Sequence, residues 1–210
     1  MRKGHLISFE GLDGAGKTTQ VELLGRWLDA QRVSHIRTCE PGGTPLGSKI
    51  RQLLFHHPEL TITPLAEAFL FQADRAHHFA TVVLPALDAG TLVISDRCFD
   101  SSIAYQGAVR EVGTKLVEEL SLLATQGRAP DLTILLDLEP AQVQARTTIM
   151  HDLREAPSRF DRETEQFHRS LREAFLALAS AHPERIKVID AAQSAQCIHE
   201  QVIELVKQIL

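Results

Sequence analysis

Short apolar runs rich in Ile, Val and Leu recur along the chain: residues 5–11 (HLISFEG), 34–40 (SHIRTCE), 91–96 (TLVISD), 131–138 (DLTILLDL) and 185–190 (RIKVID). Runs this short and this nearly continuous suit strands covered on both faces. Between them the apolar positions change to helical spacing. Val21, Leu24 and Leu28 fall at i, i+3 and i+7; Phe167, Leu171, Ala174, Phe175 and Leu178 form one stripe, and Ile198, Val202, Leu205, Val206 and Ile209 another. Thr63-Pro64 reads as an N-cap and first helical residue for the segment that follows. Strands alternating with helices predict an α/β fold: a five-stranded parallel sheet wrapped by helices on both faces. Ligands of such sheets gather at the carboxyl ends of the strands.

Length and composition narrow the picture. At 210 residues, a single domain over 1–210 is expected, and 44% hydrophobic with 23% charged residues is a globular balance that excludes disorder or a fibrous repeat. The net charge of −5 offers no basic footprint for nucleic acid, so any affinity for phosphate must be local. The start reaches Glu10 before an apolar region of signal-peptide length can form. The longer apolar stretches are broken by Pro, Asp or Gly well short of the roughly 20 residues a membrane helix needs. A soluble, cytoplasmic protein without a membrane partner is expected. Cys39, Cys98 and Cys197 are odd in number and far apart, which fits reduced thiols better than a disulfide frame or a zinc site. The pairs His56-His57 and His77-His78 do not share a helix face, so no metal site is read from them. Residues 147–159 are polar, charged and interrupted by Pro157, and read as a lid between helices.

One stretch is not explained by packing. Gly11-x-x-x-x-Gly16-Lys17-Thr18 follows the first strand and opens an amphipathic helix, the context of a phosphate-binding loop. Positive φ alone accounts for the glycines but not for Lys17-Thr18. Backbone N–H groups of Gly11, Asp13, Gly14, Ala15 and Gly16, with those of Lys17, Thr18 and Thr19 at the helix start, would cradle an anionic phosphate chain. Lys17 would reach the β/γ oxygens and the Thr18 hydroxyl would ligate Mg²⁺. The glycine order is not that of a dinucleotide-binding fold, so a nucleoside triphosphate is the expected ligand, and a guanine-specific switch protein would carry an N-K-x-D base reader that is not present here.

Further along, Pro41, Gly42 and Gly43 form a tight turn from which a helix carrying Arg51 departs. Phe71 and Arg75 stand at i, i+4 on one helix face. A buried strand ends in Asp96-Arg97, a carboxylate placed for Mg²⁺ or its waters and a guanidinium for bidentate phosphate binding.

Together, GLDGAGKTT, EPGGT, LFQADRA, DRCFDSSIAYQG, PDLTILLD and SRFDRE resemble the bacterial thymidylate kinases, in the same order and over residues 6 to 192. The resemblance implies transfer of the ATP γ-phosphoryl group to dTMP with Mg²⁺, on a P-loop kinase fold, in a homodimer. It implies that Phe71 stacks on thymine and Arg75 bonds the base. Arg51 and Arg97 hold the acceptor phosphate, and Ser102 and Gln106 lie beside the base. Tyr105 crowds the sugar's 2′ position and Asp13 lies near its 3′-hydroxyl. Glu40 and Pro41 belong to the acceptor side, and Arg146 with the Asp190-Ala191 corner flanks the donor adenine. Catalysis falls to Lys17, Arg97, Asp13 and a lid arginine. Some relatives carry that arginine in the phosphate loop, where this chain has Gly14, so Arg154 is expected to supply the charge, with Arg159 holding the lid's base.

Two departures stand out: Cys39 replaces the usual arginine before E-P-G-G-T, and Cys98 the usual aromatic or His after Asp-Arg. Each assignment has a plainer alternative: Phe71 a core residue, Arg51 and Arg75 solvated helix arginines, Asp96 a turn cap. A kinase for another nucleoside monophosphate, or a nucleotide-dependent switch, remains the competing function.

Overall fold

The computed structural model describes residues 4–57, 59–143 and 164–210. All five apolar runs are strands: β1 (Leu6–Gly11), β2 (His35–Cys39), β3 (Leu92–Asp96), β4 (Leu132–Asp137) and β5 (Ile186–Asp190). They pair in parallel in the order β2-β3-β1-β4-β5. The helices are α1 (Lys17–Ala30), α2 (Pro45–Phe55), α3 (Pro64–His78), α4 (Leu84–Asp88), α5 (Phe99–Ser102), α6 (Thr114–Ala124), α7 (Glu165–Ala181) and α8 (Ala195–Lys207). Two π-helical stretches, Phe79–Val83 and Ile103–Val109, continue α3 and α5.

The strands are nearly all apolar because both faces are covered. Side chains alternate across the sheet, so Leu6 pairs with Val93 on one face while Ile7 pairs with Ile94 on the other. Ile7, Ile94 and Ile134 pack with Leu24 and Leu28 of α1, Phe175 of α7 and Val202 of α8. Leu6 and Val93 pack with Phe79, Val83, Leu87, Phe99, Ile103 and Val117. The Thr63 cap has extended backbone before Pro64 but makes no side-chain bond, whereas Thr44 caps α2 by accepting from the Gly47 N–H at 2.9 Å. Among the described residues, no helix is long and apolar enough to cross a membrane.

Because β1 is flanked by β3 and β4, the chain crosses from one side of β1 to the other between β3 and β4. The crevice at that reversal opens at the carboxyl ends of β1 and β3, where Gly11 and Asp96 stand.

Candidate active site

The loop after β1 turns back over its own strand end. Gly11 (φ 132°) lies so close to β4 that any side chain would drive its first carbon into the Leu136 carbonyl oxygen. Gly16 (φ 99°) caps α1, and a side-chain carbon there would meet nothing within 4 Å. The first position is therefore glycine for packing. The second is glycine for conformation, beside open space at the mouth of a helix that no side chain caps. That is the shape a phosphate chain needs.

Lys17 is buried and folds over the loop, its Nζ donating to the carbonyls of Gly11 at 3.1 Å and Leu12 at 2.8 Å, 3.7 Å from Asp13. Burial, then the Arg97 charge, pushes its ammonium down to about 8, opposed by Asp13, Asp96 and Glu10. The Thr18 hydroxyl donates to the Asp96 carboxylate at 2.6 Å. A hydroxyl beside a carboxylate is a pair of hard oxygen donors that fits Mg²⁺. Among the described residues no three His, Cys, Asp or Glu side chains form a cage, so such a cation would complete its shell with phosphate oxygens and water. Ala15 is buried in the core beneath the loop, while Thr19 is exposed on the first turn of α1.

Arg97 follows β3 in the left-handed region (φ 69°), a conformation that costs a non-glycine residue about 1–2 kcal/mol. Its backbone is held from three directions. The Arg97 N–H donates to Phe9 O at 3.0 Å, Ser95 Oγ donates to its carbonyl at 2.6 Å, and the Cys98 N–H donates to Glu10 Oε1 at 2.7 Å. Its guanidinium reaches Gly11 O at 3.0 Å, Ser101 Oγ at 2.7 Å and Asp13 Oδ1 at 2.6 Å, and lies 5.4 Å from the Tyr105 ring centre. Burial opposes charge on Asp13, yet Arg97 and Lys17 hold its carboxyl well below the usual carboxylate range. Burial and the neighbouring Asp13 push the Tyr105 hydroxyl well above its ordinary value, so it stays neutral.

One cleft joins these groups to the residues of α2 and α3. Asp13, Glu40, Pro41, Arg51, Phe71, Arg75, Arg97, Ser102, Tyr105 and Gln106 all line it. Arg75 is only 1% exposed, and its Nε and Glu40 are 2.8 Å apart. Nη1 donates to Gln72 and Ser121, and Nη2 to Ser102 at 3.0 Å. Four of a guanidinium's five N–H groups thus go to protein partners among the described residues, leaving one Nη2–H for the cleft. Burial disfavours the Glu40 charge, but Arg75 and then His78 keep its carboxyl below the ordinary range. Phe71 is half-buried, edge-on to Phe55 at 6.4 Å, and Arg51 lies 5.0 Å from the Phe55 ring centre while donating to Pro41 O. Gln106 is buried, its amide donating to Glu67 at 2.7 Å.

An anion cradle next to a cleft lined by arginines and an aromatic ring is a two-substrate phosphoryl-transfer site, and the sequence agrees. Residues 9–202 match the family model described as thymidylate kinase. The chain belongs to the thymidylate kinase family. It is 48% identical to the thymidylate kinase of Leifsonia xyli subsp. xyli over 204 residues, 96% of this chain and 93% of that protein. It is 45% identical to that of Bifidobacterium longum (strain NCC 2705), covering 98% of each. The crystal structure of the Ehrlichia chaffeensis thymidylate kinase superposes with a TM-score of 0.76 at 30% identity, over 97% of this chain and 99% of that one.

The two cysteines that depart from the thymidylate kinase pattern, Cys39 and Cys98, fall at or beside the cleft. Cys98 is buried in its wall, and Cys39 is half-buried with its Sγ 3.9 Å from Pro41 O. Asp190 caps the turn after β5 through the Ala192 N–H, and Ala191 is buried beside it. Arg146, Arg154 and Arg159, with the expected lid over 147–159, lie outside the described residues. Reading the sequence missed Glu10, Phe55, His78 and Ser101. Phe55 and His78 were findable at i+4 from Arg51 and i+3 from Arg75. Glu10 carried the clearest signal: a carboxylate within a strand otherwise buried on both faces must have specific partners.

Proposed function

We propose that dTMP binds in this cleft and ATP along the loop, and that the chain moves the γ-phosphoryl group of ATP onto the 5′-phosphate of dTMP, giving dTDP and ADP. What carries this reading is the convergence of Phe71, Arg75, Arg97 and Tyr105 on one cleft beside the phosphate loop. A nucleotide switch has no use for a second cleft lined by three arginines.

Phosphoryl transfer asks the protein mainly to align two anions and neutralise their charge. Phe71 offers its ring face to the pyrimidine, and the free Nη2–H of Arg75 faces a base carbonyl, with Ser102 and Gln106 alongside. Arg51 and Arg97 take the acceptor phosphate. Tyr105 fills the space a 2′-hydroxyl would need, and Asp13 faces the 3′-hydroxyl. Lys17 leaves the loop carbonyls for the β/γ oxygens, while Arg146 and the Asp190-Ala191 corner flank the adenine. Thr18 and Asp96 would hold Mg²⁺, which when bound would add charge neutralisation on the donor phosphates. The loop carries no arginine, so Arg154 is assigned to the transferring group and Arg159 to the lid's base. No general base is required, because the acceptor phosphate is already largely ionised near neutral pH. The single domain spans 1–210 and acts in the cytoplasm as a homodimer. Support for the dimer comes from α3 and α6, which leave Leu65, Phe69, Leu116 and Leu123 43–77% exposed.

The test is ADP release measured with each nucleoside monophosphate in turn. The kcat/KM for dTMP is expected to exceed those for UMP and dGMP by orders of magnitude, because a buried donor left unpaired penalises the wrong base. A preference for dGMP, or for a nucleoside without phosphate, overturns the reading.

A further inference from the structure

Glu10 is fully buried at the end of β1, beneath the cleft rather than in its lining. Its two carboxylate oxygens are divided between two donors on the segment after β3. Oε1 accepts the Cys98 N–H, and Oε2 accepts the Ser101 hydroxyl. Ser101 in turn accepts from Arg97 Nη1 at 2.7 Å, and that same nitrogen lies 4.0 Å from Glu10 Oε2.

A serine hydroxyl has one proton and two lone pairs. Once ionised, as it is above about pH 7, the Glu10 carboxylate only accepts, so the Ser101 proton points at Glu10 and a lone pair is presented to Arg97. The other oxygen fixes the peptide that follows the left-handed Arg97. Glu10 thus holds both ends of Arg97: its backbone through Cys98 and its guanidinium through Ser101.

We infer that Glu10 is a positioning residue for the reaction, aiming Arg97 at the acceptor phosphate through the Ser101 hydroxyl without touching either substrate. This rests on the dTMP-kinase reading above. Burial and the nearby Asp100 carboxylate raise Glu10 to about 7, so the fold keeps this carboxylate where its charge is disfavoured, against Arg97, which favours it. Asp100 itself is tied to Arg185 at 2.7 and 2.8 Å, which fixes the far side of the same segment.

Glu10→Gln keeps the shape but gives one position an NH₂ that faces a donor. Either the Cys98 peptide loses its acceptor or the Ser101 hydroxyl reverses and opposes Arg97. Because misplacing a positioning group costs on the order of 10²-fold, kcat/KM for dTMP should fall roughly 10²-fold in Glu10→Gln, with the KM for ATP nearly unchanged. Ser101→Ala should fall in the same direction by roughly tenfold, and Ser101→Thr, which restores a hydroxyl, should recover most of it. The double variant Glu10→Gln/Ser101→Ala should be no worse than Glu10→Gln alone, since both act through one relay. Losses that multiply in the double variant, or a Ser101→Ala enzyme with wild-type kinetics, overturn the inference. A wild-type protein inactive on dTMP overturns the functional reading instead. Should Glu10→Gln fail to fold, the Ser101→Ala and Ser101→Thr pair decides alone.

Discussion

Lys17 shows how one residue serves two states. In the structure its ammonium is spent on two loop carbonyls, and burial draws it down to about 8. The fold therefore gains little from the charge, whereas the β/γ phosphates of a donor would gain much. Lys17→Met is expected to lower kcat by roughly 10²-fold or more, the order seen when one preorganised transition-state donor is lost. The cooperative melt should survive; near-normal turnover in the folded variant would sink the role given to the loop. Glu10 carries a different signature. Its value of about 7 in the fold lies above the ordinary 4.5, so the folded state binds the extra proton between those values. The stability from that proton is fully present below about 4.5 and is lost as pH rises through about 7. By linkage the loss is on the order of 3 kcal/mol. Asp74, raised to about 6 by burial and the nearby Glu40 charge, slopes the same way in an overlapping window. The wild-type minus Glu10→Gln difference in denaturant-derived stability isolates Glu10. It should fall from pH 5 to pH 8, and a flat difference would show that Glu10 titrates normally.

At the scale of elements, the strands were legible because burial on both faces leaves an unmistakable apolar run, as in TILLD of β4. The helix stripes of α1, α7 and α8 were legible because burial of one face leaves apolar positions at helical spacing. The phosphate loop was readable because its glycines come with Lys17-Thr18, chemistry that packing does not require. The π-helical stretch Ile103–Val109 was not readable. It changes the pitch between Ser102 and Gln106, so helical counting could not say that Tyr105 would face Arg97 at 5.4 Å while Gln106 turned to Glu67. Nor could the sequence show that Arg75 is buried, since its partners Glu40, Ser102 and Ser121 come from three other segments, and only Gln72 shares its helix. Gly107 lets this stretch lie against the start of α6. A side-chain carbon there would sit 3.0 Å from Thr114 Cα, tighter than ordinary contact. Gly107→Ala is expected to destabilise the protein by about 1–3 kcal/mol, the usual cost of overpacking. It should also raise the KM for dTMP by shifting Tyr105 and Gln106. An unchanged melting temperature would mean that the two segments separate freely.

For the molecule as a whole, α3 joins the site to the outer surface. Its inner face gives Phe71 and Arg75 to the cleft, while Leu65 and Phe69, 46% and 53% exposed, look outward. Neighbouring α6, tied to α3 by the Gln72–Ser121 hydrogen bond, leaves Leu116 at 43% and Leu123 at 77% exposed. Apolar groups of this size left in water on adjacent helices favour a second copy, because a two-fold contact buries each of them twice over. The described residues of one chain already bring Asp13, Arg51, Phe71, Arg75, Arg97 and Tyr105 to one cleft, so the pairing is expected to support α3. Sedimentation equilibrium should give the mass of two chains for the wild type. Phe69→Glu/Leu123→Glu, which places unpaired carboxylates in the contact, should give the mass of one. The KM for dTMP should then stay within a few-fold, while the melting temperature becomes independent of protein concentration. A wild type that sediments as one chain at micromolar concentration would remove the dimer. A double variant that still sediments as two would move the contact to another face.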